Sequence, residues 1–135
     1  MRAIVAKDGI IGINAYPAFV KWTRMEVGER PTVDDLLDHI DYVVELVGVD
    51  YVGISLDLIE NAEEVESSLL ATNPEIWGLP NPEGKYLFPI GIEGVSDFKN
   101  ITRGLVARKY SDGDIRKILG GNWLRVLNKT ERKNA

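Results

Sequence analysis

Cysteine is absent from the 135 residues, and histidine occurs once. The first absence excludes disulfides, thiol nucleophiles, zinc knuckles and iron–sulfur ligation. The second excludes any metal site that takes two or more imidazoles from this chain. Cations are short as well: 16 Lys and Arg face 21 Asp and Glu, a formal net charge of −5. Neutralising phosphates needs clustered Lys and Arg, so nucleic-acid binding is not expected. Long apolar runs are missing too. The most apolar stretch, 10–20, is interrupted by Asn14 and Pro17, and nothing reaches the roughly 18 residues of a membrane span. The opening MRAIVAKDG lacks the continuous apolar core of a signal peptide. A cytoplasmic chain with no membrane span is the expectation.

What is present suits a folded α/β chain. At about 150 residues per domain, the length first reads as one domain, 1–135. The 44% of hydrophobic residues is enough to bury a core without disulfide or structural metal. Residues 2–7 read as the end of a helix, stopped by Asp8-Gly9. Residues 10–16, IIGINAY, read as a buried strand rich in β-branched residues. Pro17 cannot continue a central strand, and a polar loop to Pro31 comes next. Thr32 then caps the clearest helix, with Asp34 and Asp35 at its positive end. Its stripe is Val33, Leu36, Leu37, Ile40, Val43, Val44 and Val47, and Gly48 ends it. DYVGISLDL, 50–58, reads as a second buried strand. Strand, helix, strand is a βαβ unit with parallel strands.

Beyond Asp57 the pattern loosens. Residues 59–94 form a long connection holding four of the six prolines and a possible acidic helix over 61–71. A connection of that length is usually functional. The last third is helical again. Ser96-Asp97 starts a helix to about Lys109 with Phe98, Ile101, Leu105 and Val106 inward. Ser111 caps another with Ile115, Ile118 and Leu119 inward. Gly120-Gly121 breaks it, one or two turns run on to about Leu127, and 128–135 is a polar, flexible tail. Two parallel strands do not make a stable sheet alone. Either strands lie unrecognised in 73–94, or another chain completes the sheet.

Few side chains qualify for chemistry. Asp57 ends the second strand, where parallel α/β folds place reactive groups; it is either a ligand or base, or a cap for the next segment of chain. Asn14 and Tyr16 end the first strand on alternate positions and share a face; they line a pocket or simply pack. His39 lies inside the amphipathic helix, four residues after Asp35, and a lone helical histidine is more often structural. Glu60, Glu63, Glu64 and Glu66 lack the alternation and central glycine of a calcium loop. The glycines form no dinucleotide or phosphate-loop motif. Trp77, Tyr86 and Phe88 either pack or offer a contact surface.

Taken in order, TVDDLLDHIDYVVELVGVDYVGISLDL and GVSDFKNITRGLVARKYSDGDIRKILGGNWLRVL resemble the C-terminal part of the membrane dipeptidase (renal dipeptidase) family. RAIVAKDGIIGINAY is similar to the strand before them, and NPEIWG to some bacterial members. The resemblance covers most of 2–58 and 94–127. It implies a partial (β/α)8 TIM barrel of amidohydrolase type: the C-terminal βα units plus terminal helices. It also implies a zinc-dependent dipeptidase, in which a water between two zinc ions attacks the peptide carbonyl and the metals act as Lewis acids. The family's metal ligands (a His-x-Asp pair, a bridging Glu and two later His) lie upstream of the matched region. Its late-strand aspartate matches Asp57, which then binds the substrate amino group or carries a proton.

The resulting expectation is catalytic Asp57, substrate-binding Asn14 and Tyr16, and no metal ligand or cofactor in this chain alone, zinc belonging to the full-length family. A barrel of this type takes about 250 residues. The chain then reads as a C-terminal portion, inactive by itself, that forms a homo-oligomer or pairs with a chain carrying the N-terminal barrel half. Dipeptide is a substrate only once the barrel is completed. The alternatives are a subunit of a split dipeptidase completed by a partner chain, or a non-catalytic binding or oligomerisation module that uses the long loop.

Overall fold

A computed structural model describes residues 1–21, 30–58 and 88–132. Helix α1 (Arg2–Val5) leads to strand β1 (Ile11–Ile13), a single-turn helix α2 (Pro17–Val20) and helix α3 (Val33–Val47). A 3₁₀ turn over Val49–Tyr51 enters strand β2 (Val52–Ile54). After residue 87 come a 3₁₀ turn (Val95–Asp97), α4 (Phe98–Ala107) and α5 (Asp112–Arg116). A π-helical turn (Lys117–Gly121) then joins α6 (Asn122–Arg132).

The strands pair in parallel, Ile11 with Val52, Gly12 with Gly53 and Ile13 with Ile54. This is the expected βαβ unit in an α/β fold, but both strands are shorter than their apolar runs suggest. β1 gives way to local bonding at Asn14, whose side chain accepts from Tyr16 N–H at 2.6 Å, although Ala15 N–H still donates to Leu56 O at 3.4 Å. Pro17 then opens α2, where its fixed φ and missing N–H cost nothing; a helical turn stands where a loop was expected. The second run begins as a 3₁₀ turn, and Asp57 closes it in the left-handed region at φ 59°.

α3 matches its sequence signals closely. The Thr32 hydroxyl accepts from Asp35 N–H at 3.3 Å, and Asp35 accepts from Thr32 N–H at 2.7 Å. Leu36, Leu37, Ile40 and Val43 are buried, while Val33, Val44 and Val47 pack at the edge of the same core. On the sheet, Ile13, Ala15, Val52 and Leu56 face this cluster, joined by Ile92, Ile101, Leu105, Ile115 and Ile118. α4 comes close to α3 at Gly104, where a Cβ would stand 2.2 Å from Leu37 Cδ1.

Three residues expected inward are exposed: Phe98, Val106 and Leu119. Val106 lies one residue, or about 100°, off the Ile101–Leu105 stripe. Phe98 is the first residue of α4, and Leu119 sits in the widened π turn. The two glycines redirect rather than stop the chain: Gly120 departs from helical geometry, and α6 begins at once. α6 runs to Arg132, so the tail starts later than the expected 128; Lys129 pairs with Asp8 and Thr130 Oγ1 donates to Leu127 O.

Of the long connection, 59–87 lies outside the described residues, and with it the acidic segment, Trp77 and Tyr86. Its return is firmly docked on the entrance to α3. Ile90 N–H donates to Pro31 O at 2.8 Å and Val33 N–H to Ile90 O at 2.9 Å. Arg30 Nε donates to Phe88 O at 2.8 Å and its guanidinium reaches Glu93 at 2.6 Å. Phe88 is itself buried. Thr32 and Ile90 form an isolated parallel bridge, and β1 and β2 are the named strands among the described residues.

Candidate active site at the strand ends

Parallel strands end together, so the side chains just beyond β1 and β2 meet at one edge of the sheet. Asn14 Nδ2 donates to Asp57 Oδ2 at 3.3 Å. The Asn14 carbonyl oxygen is held by Tyr16 N–H, which fixes the amide's orientation and points its NH₂ at the carboxylate. The ring of Tyr16 meets Phe19 edge-on, with centroids 5.2 Å apart. Thus the three residues singled out in the sequence come together at the C-terminal end of the sheet. Asp57 is exposed, while Asn14 and Tyr16 are half-buried. An exposed carboxylate with one amide donor keeps free lone pairs for a cationic or hydrogen-bond-donating ligand.

The opposite end of the sheet is closed by α6. Asn122, 3% exposed, donates to Val49 O at 2.7 Å and Val52 O at 2.8 Å. Arg125 donates to Asp8 O, the Asp8 carboxylate, Gly9 O and Asp50 O, and lies 5.5 Å from the Tyr51 ring centroid. None of these residues stood out in the sequence, because what marks them is contact across 70 or more residues. The one available signal was the apolar spacing of α6 around a basic residue.

A second charged cluster lies on α3. Arg108 pairs with Asp38 at 2.7 Å and with Asp41, and Tyr110 Oη donates to Asp41 at 2.7 Å. Burial and then the Asp41 carboxylate push the Tyr110 phenol well above its ordinary range. Burial works against the Arg108 charge, but Asp38 and Asp41 outweigh it and raise its pKa. These groups link α4 to α3 and are satisfied by each other.

His39 stands apart from the strand ends. Its Nε2 lies 2.8 Å from Val20 O, so that nitrogen donates and holds α2 against α3. Asp35 engages Lys21 at 2.7 Å rather than His39. Among the described residues no group of three or more His, Cys, Asp or Glu is arranged to hold a metal ion. The described residues therefore do not fit a zinc centre by themselves. No helix among them is long and apolar enough to cross a membrane.

The sequence profile of the membrane dipeptidase family, peptidase family M19, matches residues 1–69 and 80–135. Dipeptidase aclJ of Aspergillus oryzae is 28% identical over 131 residues, which are 97% of this chain and 25% of that protein. Dipeptidase tcpJ of Claviceps purpurea is 26% identical over 123 residues, 91% of this chain and 22% of that protein. A crystal structure of an amidohydrolase from Pseudomonas aeruginosa superposes with a TM-score of 0.71 at 31% identity, over 92% of this chain and 37% of that one. The chain thus spans about a quarter of the length of the curated relatives it matches. With the profile matched along nearly the whole sequence, the chain belongs to the membrane dipeptidase family.

Proposed function

We propose that this chain is the C-terminal wall of a metal-dependent dipeptidase built as a (β/α)8 barrel, with Asp57 as its substrate-facing catalytic residue. The observation that carries the reading is the Asn14–Asp57 hydrogen bond across the C-terminal ends of two parallel strands, the end at which barrel enzymes gather their reactive groups. A dipeptide carries an ammonium group at neutral pH. An oriented, exposed carboxylate is the complement of that group. Asn14 sets the Asp57 rotamer, and Tyr16 lines the same edge. The family names of the relatives, dipeptidase and amidohydrolase, support this reaction class.

The described residues hold no group arranged to bind a metal, so the ligands belong to the remainder of the barrel. Hydrolysis is therefore a property of the completed barrel. The test is a zinc-supplemented dipeptidase assay on the purified chain, alone and mixed with a polypeptide spanning the rest of a relative's barrel. Turnover is expected only in the mixture, and Asp57→Asn should lower it at least a hundredfold. Turnover by the 135 residues alone that disappears on Asp57→Asn overturns the requirement for the rest of the barrel. Undiminished turnover of the Asp57→Asn mixture overturns the role of Asp57.

A further inference from the structure

Below the Asn14–Asp57 pair, on the same face of the sheet, β1 and β2 bring Gly12 and Gly53 side by side in register. Two adjacent glycines leave one level of this face with no side chain of its own. Trp123, in the first turn of α6, fills that level from outside the sheet. Its Nε1 donates to Ile54 O at 2.9 Å. A Cβ on Gly53 would stand 2.5 Å from Nε1 and 3.0 Å from Cδ1 of the indole; a Cβ on Gly12 would stand 3.1 Å from Cζ2. The five-membered ring therefore covers β2 and the six-membered ring reaches β1. The same Gly12 position lies 2.7 Å from Ser55 Cβ, so Ser55, two residues before Asp57, borders this level as well. Gly53 is buried, Trp123 half-buried and Gly12 exposed.

We propose that Trp123 is the floor of the substrate pocket and determines how large a side chain is accepted beneath the Asn14–Asp57 pair. This rests on the proposed function, in which Asp57 holds the amino group of a dipeptide. The side chain on the carbon bearing that amino group lies closest to Asp57, so the N-terminal residue of the dipeptide meets the indole. Any side chain at position 12 or 53 would displace the ring, which gives the paired glycines a purpose: they admit the floor.

The test is a titration of the ¹⁵N-labelled 135-residue chain, mixed with an unlabelled polypeptide spanning the rest of a relative's barrel, with glycylglycine and with phenylalanylglycine, monitored by NMR. The Trp123 indole N–H is assigned by its loss in Trp123→Phe. The expected result has three parts. The indole resonance moves on saturation with phenylalanylglycine. Trp123→Ala shifts the ratio of the two dissociation constants at least fivefold toward phenylalanylglycine. Asp57→Asn weakens both dipeptides at least tenfold. Binding that needs Asp57 but leaves the indole resonance still and the ratio within twofold overturns the floor and spares the site. Absence of dipeptide binding, or binding indifferent to Asp57→Asn, overturns the site reading and the floor with it. Where Trp123→Ala does not fold, Trp123→Phe carries the ratio test, and a shift below twofold overturns the floor.

Discussion

Asn122 is a polar side chain buried to 3% exposure, and its amide is stable there because both N–H donors have backbone acceptors. Removing them leaves two carbonyls without these donors, and that of Val52 is in buried surroundings. Asn122→Leu is expected to lower stability by about 1–3 kcal/mol, read as a shift of the urea midpoint at unchanged slope. Asn122→Asp should cost at least as much, since a carboxylate cannot donate. At this scale the site was partly legible. Asn14, Tyr16 and Asp57 were found because period-two alternation and strand ends are sequence properties. Asn122, Trp123 and Arg125 were not, because each bonds backbone at least 69 residues away. Gly12 and Gly53 carried a hidden signal: each looks like a weakness in a strand, and only their shared register shows that one indole covers both.

Among the elements, α3 was read correctly to within a residue because cap, stripe and terminator agree. The strands were read too long, since apolar composition does not show where local turns such as those at Asn14 and Val49–Tyr51 replace regular pairing. The cap of α3 also predicts a pH dependence. Burial pushes the Asp35 carboxyl up, but hydrogen bonds from Lys21 and Thr32 outweigh it and hold the pKa below its ordinary value of 3.8. A carboxylate depressed in the folded state stabilises fully above its unfolded pKa, and that contribution is lost as pH falls through the folded value. Melting temperature should therefore drop below pH 3.8, and Asp35→Asn should flatten this part of the curve while lowering the plateau above it. Thr32→Ala should remove about 0.5–2 kcal/mol near neutral pH. An acid limb identical in the wild type and Asp35→Asn would show that other carboxylates govern it.

Across the whole molecule, Arg125 joins the last helix to the first turn and to the entrance of β2. Its donors reach four acceptors on Asp8, Gly9 and Asp50, at 2.6 to 3.2 Å. A lysine ammonium is a single point and cannot span that set. Arg125→Lys is expected to cost about 1.5–3 kcal/mol, the range for charge-assisted hydrogen bonds, and to speed amide exchange in β1. Unchanged exchange at Ile11 and Ile13, whose amides face β2, would show that α6 does not hold the strand.

The side chains of Asn122 and Trp123 also bear on the outer flank of β2. Ser55 N–H donates inward to Ile13 O, so the Val52 and Ile54 carbonyls point away from β1, and both accept from α6. Strand carbonyls left without donors are a template for pairing with another strand. Here two donors from one helical turn occupy them, so a further strand that joins β2 on this flank must first take those carbonyls from α6.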